Sequence, residues 1–226
     1  MRRRISVVLL VFLVAAWMLS GCVLATVRTL DEDEEAKAGF DPEAYVDDLW
    51  ESRVIPTYEA DAVDFATLLE AIRADEDAAI EQYGHRSGTG AYSFMVRGTG
   101  TILTFDTSSK AGMALVDIAP GDGTPDLSLT IGPLIKISHR GAVRDAVGFI
   151  EYGDFVNQQE FAGVANAMGE RITLMLAEKL GATDVDAIRD LAPAEIEGKT
   201  VSFIGAFALD DLDDVILVPV IFEVED

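Results

Sequence analysis

One cysteine, Cys22, occurs in 226 residues. Exported chains use cysteines in pairs, so a lone thiol leaves no disulfide and the fold must be stable without staples. There are two histidines, His85 and His139, and they do not share an element at metal-site spacing, which argues against a metal centre. Lysine supplies only 5 of 17 basic residues, set against 40 acidic ones. Gly-x-Ser-x-Gly, Walker A and dinucleotide fingerprints are all missing. The run Asp122-Gly123-Thr124-Pro125-Asp126 lacks the third acid, the glycine placement and the terminal glutamate of an EF-hand, and reads as a hairpin turn. The expectation is therefore no catalytic residue set, no metal and no cofactor.

What is present begins at the amino terminus. Met1-Arg2-Arg3-Arg4 precedes an apolar stretch, residues 5–19, with no charge and one hydroxyl, Ser6. A basic segment, an apolar segment and small residues at a cleavage point make an export signal. The apolar stretch is shorter than the roughly 20 residues of a comfortable spanning helix, which favours cleavage over a permanent anchor. Leu19-Ser20-Gly21-Cys22 also matches the bacterial lipobox, in which the cysteine sulfur carries a diacylglyceryl group and becomes the first mature residue. Lipidation accounts for the single thiol. Two or more acyl chains suffice for lasting attachment at roughly 0.8 kcal/mol per buried methylene. The expected place is the cell envelope, on the periplasmic face of a bacterial membrane.

Loss of residues 1–21 removes three arginines and no acid, leaving 14 basic against 40 acidic residues, a net charge of −26. Such a surface repels nucleic acid and anionic lipid headgroups. Nucleic acid is excluded as a partner.

The reading along the chain is a signal peptide at 1–21, an acidic tether at 22–39 and a single α+β domain at 40–226. Its helical part covers 40–84 and its β part 85–226. Asp41 is placed to cap a helix with Pro42 at its first position, Tyr45, Val46, Leu49 and Trp50 forming the apolar stripe and Pro56 ending it. A second helix is expected over 64–74, with Asp75 capping a continuation to Tyr83. After Gly84 the period shortens. Short runs at 92–97, 101–105, 112–118 and 127–131 read as an antiparallel meander, and 200–207 with 215–224 as a closing hairpin. Between the strand groups a long helix is expected over 156–180. The fold expected is N-terminal helices plus an antiparallel, partly open barrel of OB type, with a long helix inserted between strands.

Polar side chains are densest between 139 and 161. Arg140 and Arg144 fall on one helical face and could grip a carboxylate, a phosphate or a sugar hydroxyl. Asp145 follows, and Asp154 is placed to cap the long helix. Asn157, Gln158 and Glu160 offer the amide and carboxylate groups that sugar sites favour. Together Arg140, Arg144, Asp145, Asp154, Asn157, Gln158 and Glu160 form the candidate binding recess, and Cys22 the lipidation site.

Five ordered segments resemble a known family. They are Phe40-Asp41-Pro42-Glu43-Ala44-Tyr45-Val46 with Trp50; Gly90-Ala91-Tyr92-Ser93-Phe94; and Arg144-Asp145-Ala146-Val147-Gly148-Phe149-Ile150. The remaining two are Asp154-Phe155-Val156-Asn157-Gln158-Gln159-Glu160-Phe161, and Gly198-Lys199-Thr200-Val201-Ser202-Phe203 with Gly205-Ala206-Phe207. They resemble the predicted periplasmic lipoproteins of the domain of unknown function 2291 family. The resemblance implies an accessory role beside ribose-type ABC sugar importers and no known enzymatic activity. It points to a lipid-anchored binding module that contacts a sugar-binding protein, a permease or a small sugar. The competing reading is a periplasmic carbohydrate-active hydrolase using paired carboxylates among Asp145, Asp154 and Glu160.

Overall fold

The structure is a computed structural model, and it describes residues 39–210 and 212–225. The expected signal segment, Cys22 and all of the tether except Gly39 lie outside the described residues. Asp41–Asp226 forms one compact unit.

Helix α1 (Pro42–Leu49) begins where Asp41 accepts the backbone N–H groups of Glu43 and Ala44 at 3.0 and 3.1 Å, with Pro42 at the first position. It does not stop before Pro56. A π-helical turn, Trp50–Val54, leads into α2 (Ile55–Asp61), and the Ile55 N–H reaches back five residues to the Trp50 carbonyl. Proline lacks an N–H and crowds the carbonyl four residues before it; one wider turn accommodates both defects. After the two-residue strand β1 (Val63–Asp64), α3 (Phe65–Ala74) and α4 (Glu76–Tyr83) are capped by Asp64 and Asp75, each accepting a backbone N–H three residues on.

The sheet contains β2 (Ser93–Asp106), β3 (Met113–Ile118), β4 (Leu127–Thr130), β5 (Thr200–Ala208) and β6 (Ile216–Glu225). The runs at 92–97 and 101–105, expected as two strands, are one strand of 14 residues. Gly98 and Gly100 mark close approach, not a turn. A Cβ at Gly98 would lie 2.7 Å from the Phe203 ring on β5, and one at Gly100 would run into the Asp117 carbonyl on β3. Strand β2 pairs antiparallel with β3 along 100–106 and with β5 along 93–101. Strand β3 pairs with β4, β4 with β6, and β6 with β5, so the pairings return to β2 in a circuit. The β4–β6 pair is parallel, and so is the β1–β2 pair; the expectation of a wholly antiparallel sheet is corrected. The chain leaves β4 for α5 (Ile137–Ala146), the 23-residue α6 (Gln158–Leu180) and the short α7 (Pro193–Ile196) before returning in β5. That connection followed by the β5–β6 turn brings β6 back parallel to β4, which a hairpin could not do.

Glycine and proline also shape the β5–β6 ladder. Ile204 pairs with Ile221 but Gly205 with Pro219, leaving Val220 as an extra residue at a bulge where a missing N–H is tolerated. The core lies between the sheet and the helices. Phe94 stacks on Phe207 at 5.6 Å across the β2–β5 ladder, and Phe65 from α3 meets Phe207 edge-on at 6.4 Å. Each such buried ring contributes about 1.5–3 kcal/mol. Met168, Ile172 and Leu176 supply the inward face of α6.

Candidate functional site

The polar cluster is built around the first turns of α6. Asn157 accepts the N–H groups of Gln159 and Glu160 at 2.9 and 3.0 Å, so Asn157 and not Asp154 caps this helix. Asp154 was displaced from that role by a separate 3₁₀ turn, Tyr152–Asp154, in which Glu151 and Asp154 accept each other's backbone N–H. Glu160 binds the Val156 N–H at 3.1 Å and the Asn157 side-chain amide at 3.1 Å. Helix α6 therefore starts at Gln158, two residues after the expected start.

Below this cap lies a buried ion pair. Arg144 is 7% exposed; its Nε donates to Asp145 at 2.7 Å, and its Nη1 donates to the Phe161 carbonyl at 2.9 Å. The guanidinium lies 3.2 Å from the centroid of the Phe161 ring. Burial pushes the Asp145 carboxyl above its ordinary pKa, and Arg144 opposes that shift without overcoming it. Burial likewise lowers the Arg144 pKa, with Asp145 opposing. The Tyr58 hydroxyl donates to the Val143 carbonyl at 2.9 Å and is raised well above its usual value, first by burial and then by the Asp145 charge.

Arg140 makes a different contact. Its stem crosses Gly169, where any Cβ would run into its Cδ, two turns along α6 from the Arg144–Phe161 contact. Its Nε and the Nδ1 of His139 are buried without a hydrogen-bond partner. Gln158 is exposed at the start of α6. The structure thus brings Arg144, Asp145, Asn157 and Glu160 to one helix terminus, sets Asp154 on the adjoining turn and places Arg140 further along the helix.

Sequence reasoning missed the aromatic cluster that organises this terminus. Tyr45 meets Phe155 at 5.6 Å, Phe155 meets Phe161 at 5.6 Å, and Tyr152 meets Phe161 edge-on at 5.4 Å. Arg53 stacks on Phe149 at 3.9 Å, and Pro42 lies against Gly163. Three of the five resembling segments, around 40–50, 144–150 and 154–161, therefore meet in contact here, and the other two pair as β2 and β5. Their common signal was aromatic residues flanking glycine and acid.

The described cavities lie elsewhere. One, of about 480 Å³, is lined by Arg97, Thr99, Ile118, Ser202, Ile204 and Ile221 among others. A second, of about 330 Å³, lies between α3 and the β3–β4 turn and is bordered by Arg73, Asp117, Asp122 and Asp126. The two share Ile118 and Ala119 and so adjoin. Arg97 is held in place by its bonds to the carbonyls of Ala62 and Glu59 at 2.9 and 2.6 Å. Asp117 and Asp126 accept backbone N–H groups of the turn, at Asp122 and Gly123 and at Ile118 respectively. Among the described residues no group of three or more His, Cys, Asp or Glu side chains is placed to hold a metal ion.

A crystal structure of an OB-fold protein from Thermotoga maritima is similar to this chain, with a TM-score of 0.60 and 19% identity over 83% of this chain and 99% of that one. At that identity the likeness is one of fold. No curated protein matches the chain. The family model for predicted periplasmic lipoproteins matches residues 12–223, nearly the whole sequence, and accords with a place in the cell envelope on the periplasmic side. The chain belongs to the predicted periplasmic lipoprotein family DUF2291.

Proposed function

We propose that this protein is a lipid-anchored accessory module of an ABC-type sugar import system, acting by binding and not by catalysis. The observation that carries the reading is the engagement of the carboxylates. Asp145 is held against Arg144, Asp154 closes a 3₁₀ turn, and Glu160 fixes the backbone before α6. A glycosidase needs two carboxyl groups facing each other across a cleft. None of these three acids borders the described cavities.

We read the circuit of strand pairings as a small, partly open barrel. OB-type barrels bind extended ligands on their outer sheet face. Here the outer groove at Thr99, Ser202 and Ile221 offers hydroxyl and aliphatic surface suited to a small sugar or a partner's loop. A net charge of −26 turns such a module away from nucleic acid and toward neutral sugars or a partner with a basic rim.

Calorimetric titration of the unlipidated mature domain with a pentose and hexose panel, and with the importer's solute-binding protein, tests the reading. Binding to one of them is expected, and protein binding should weaken at high salt. A chromogenic glycoside assay should be silent. Silence in every titration contradicts the proposal. Hydrolysis that disappears in Asp154→Asn or Glu160→Gln would replace it with the hydrolase.

A further inference from the structure

The lysines of this acidic molecule are few. Among the described residues are four lysines: Lys110, Lys136, Lys179 and Lys199. Lys179 is paired with Glu223. Lys110 and Lys136 are both exposed, and the fold brings them to one corner. The chain after β2 and the chain after β4 run side by side: Ile131 bonds Gly112, Gly132 bonds Ala111, and the Leu134 N–H reaches the Lys110 carbonyl at 3.0 Å. Leu134 and Ile137 project from the same corner, 50% and 73% exposed, while Ile135 between them is buried at 2%. Two aliphatic side chains in water, flanked by two lysines, make a small amphipathic patch. His139 adjoins it, and Asp210 is the acid that faces His139.

We propose that this corner is where the tethered domain rests on an anionic phospholipid surface. Within a Debye length of about 8 Å a bilayer responds to local charge and not to the molecule's total. The acidic remainder is repelled, so repulsion and attraction together select one orientation. Leu134 and Ile137 can enter the headgroup boundary while the lysine ammonium groups stay with the phosphates. The lipid on Cys22 keeps a bilayer permanently within reach, which lets a weak patch suffice. The inference rests on that anchor and on charge complementarity.

Two arms keep failure of the anchor separate from failure of the corner. In the first, the lipidated full chain carrying Ile137→Cys is reconstituted in vesicles of phosphatidylethanolamine and phosphatidylglycerol. Acylated Cys22 leaves the introduced thiol as the reactive one, so it takes an environment-sensitive fluorophore. Brominated lipids should quench that label strongly. The same label at Val156→Cys, which is 90% exposed just before α6 and beyond the end of α5 opposite Ile137, should not be quenched. In the second arm the unlipidated domain is floated with the same vesicles at low salt. Weak binding is expected, reduced about fivefold or more by Lys110→Glu with Lys136→Glu, and absent from pure phosphatidylcholine. Equal quenching at both positions, no quenching at 137, or flotation indifferent to the lysine substitutions overturns the proposal. Fatty-acid labelling of the full chain reports independently on the anchor.

Discussion

Asp145 shows what a buried charge does here. Its pKa is raised because burial outweighs the Arg144 guanidinium 2.7 Å away, so the folded state holds its neutral form more readily than the unfolded chain does. The contribution of this group to stability is therefore fullest below the ordinary carboxylate pKa, and is lost as pH rises through the raised folded value. Two substitutions at Asp145 separate the acceptor it gives Arg144 from its charge. Asp145→Asn keeps an oxygen toward Arg144 and should cost about 1 kcal/mol or less at neutral pH. Asp145→Ala leaves a buried guanidinium without that acceptor and should cost about 3 kcal/mol or more. Urea unfolding of both variants checks the ordering, and equal losses would show that the charge itself matters. The sequence set Arg144 and Asp145 in one candidate recess but did not pair them with each other. The burial of the pair was not legible, because that depends on Phe161 folding over it from 17 residues away.

At the scale of elements, caps were read well where one acid had one helix to serve. Asp41 and Asp75 cap as their spacing implies, and Asp64, expected as the first residue of its helix, caps it instead. Before α6 two candidates competed, and the intervening 3₁₀ turn captured Asp154 and left the cap to Asn157. Asn157→Ala should lower stability by about 1 kcal/mol. Asp154→Ala should cost less, since its turn is exposed and bonded twice over by Glu151. Denaturant midpoints of the two variants decide the matter, and a larger loss at Asp154 would return the cap to it. Gly98, Gly100 and Pro56 were misread for a common physical reason. A glycine that turns a chain and a glycine that admits a neighbouring ring look alike until the neighbour is known. Likewise a proline stops an α-helix unless a π turn widens to take it.

On the scale of the whole molecule, the α+β class and the long helix between strand groups follow from periodicity alone. The parallel β4–β6 pair does not, because it joins Ser128 to Ile216 across 88 positions with no local signal. The groove has the same character: Arg97, Ile118, Ser202 and Ile221 meet only after the circuit of strands is formed. The anchor, in contrast, is wholly local in sequence. Its lipobox predicts that Cys22→Ala abolishes fatty-acid labelling and processing to mature size, and unchanged labelling would remove the lipoprotein reading. An anchored module serving a sugar importer gives this local feature a functional consequence. The most direct measurement is uptake of radiolabelled sugars at limiting concentration, in cells lacking this chain and in cells restored with wild type or Cys22→Ala. The account predicts that uptake of one pentose or hexose falls in the deletion, recovers with wild type and does not recover with Cys22→Ala. Uptake of every sugar unchanged by the deletion would contradict it.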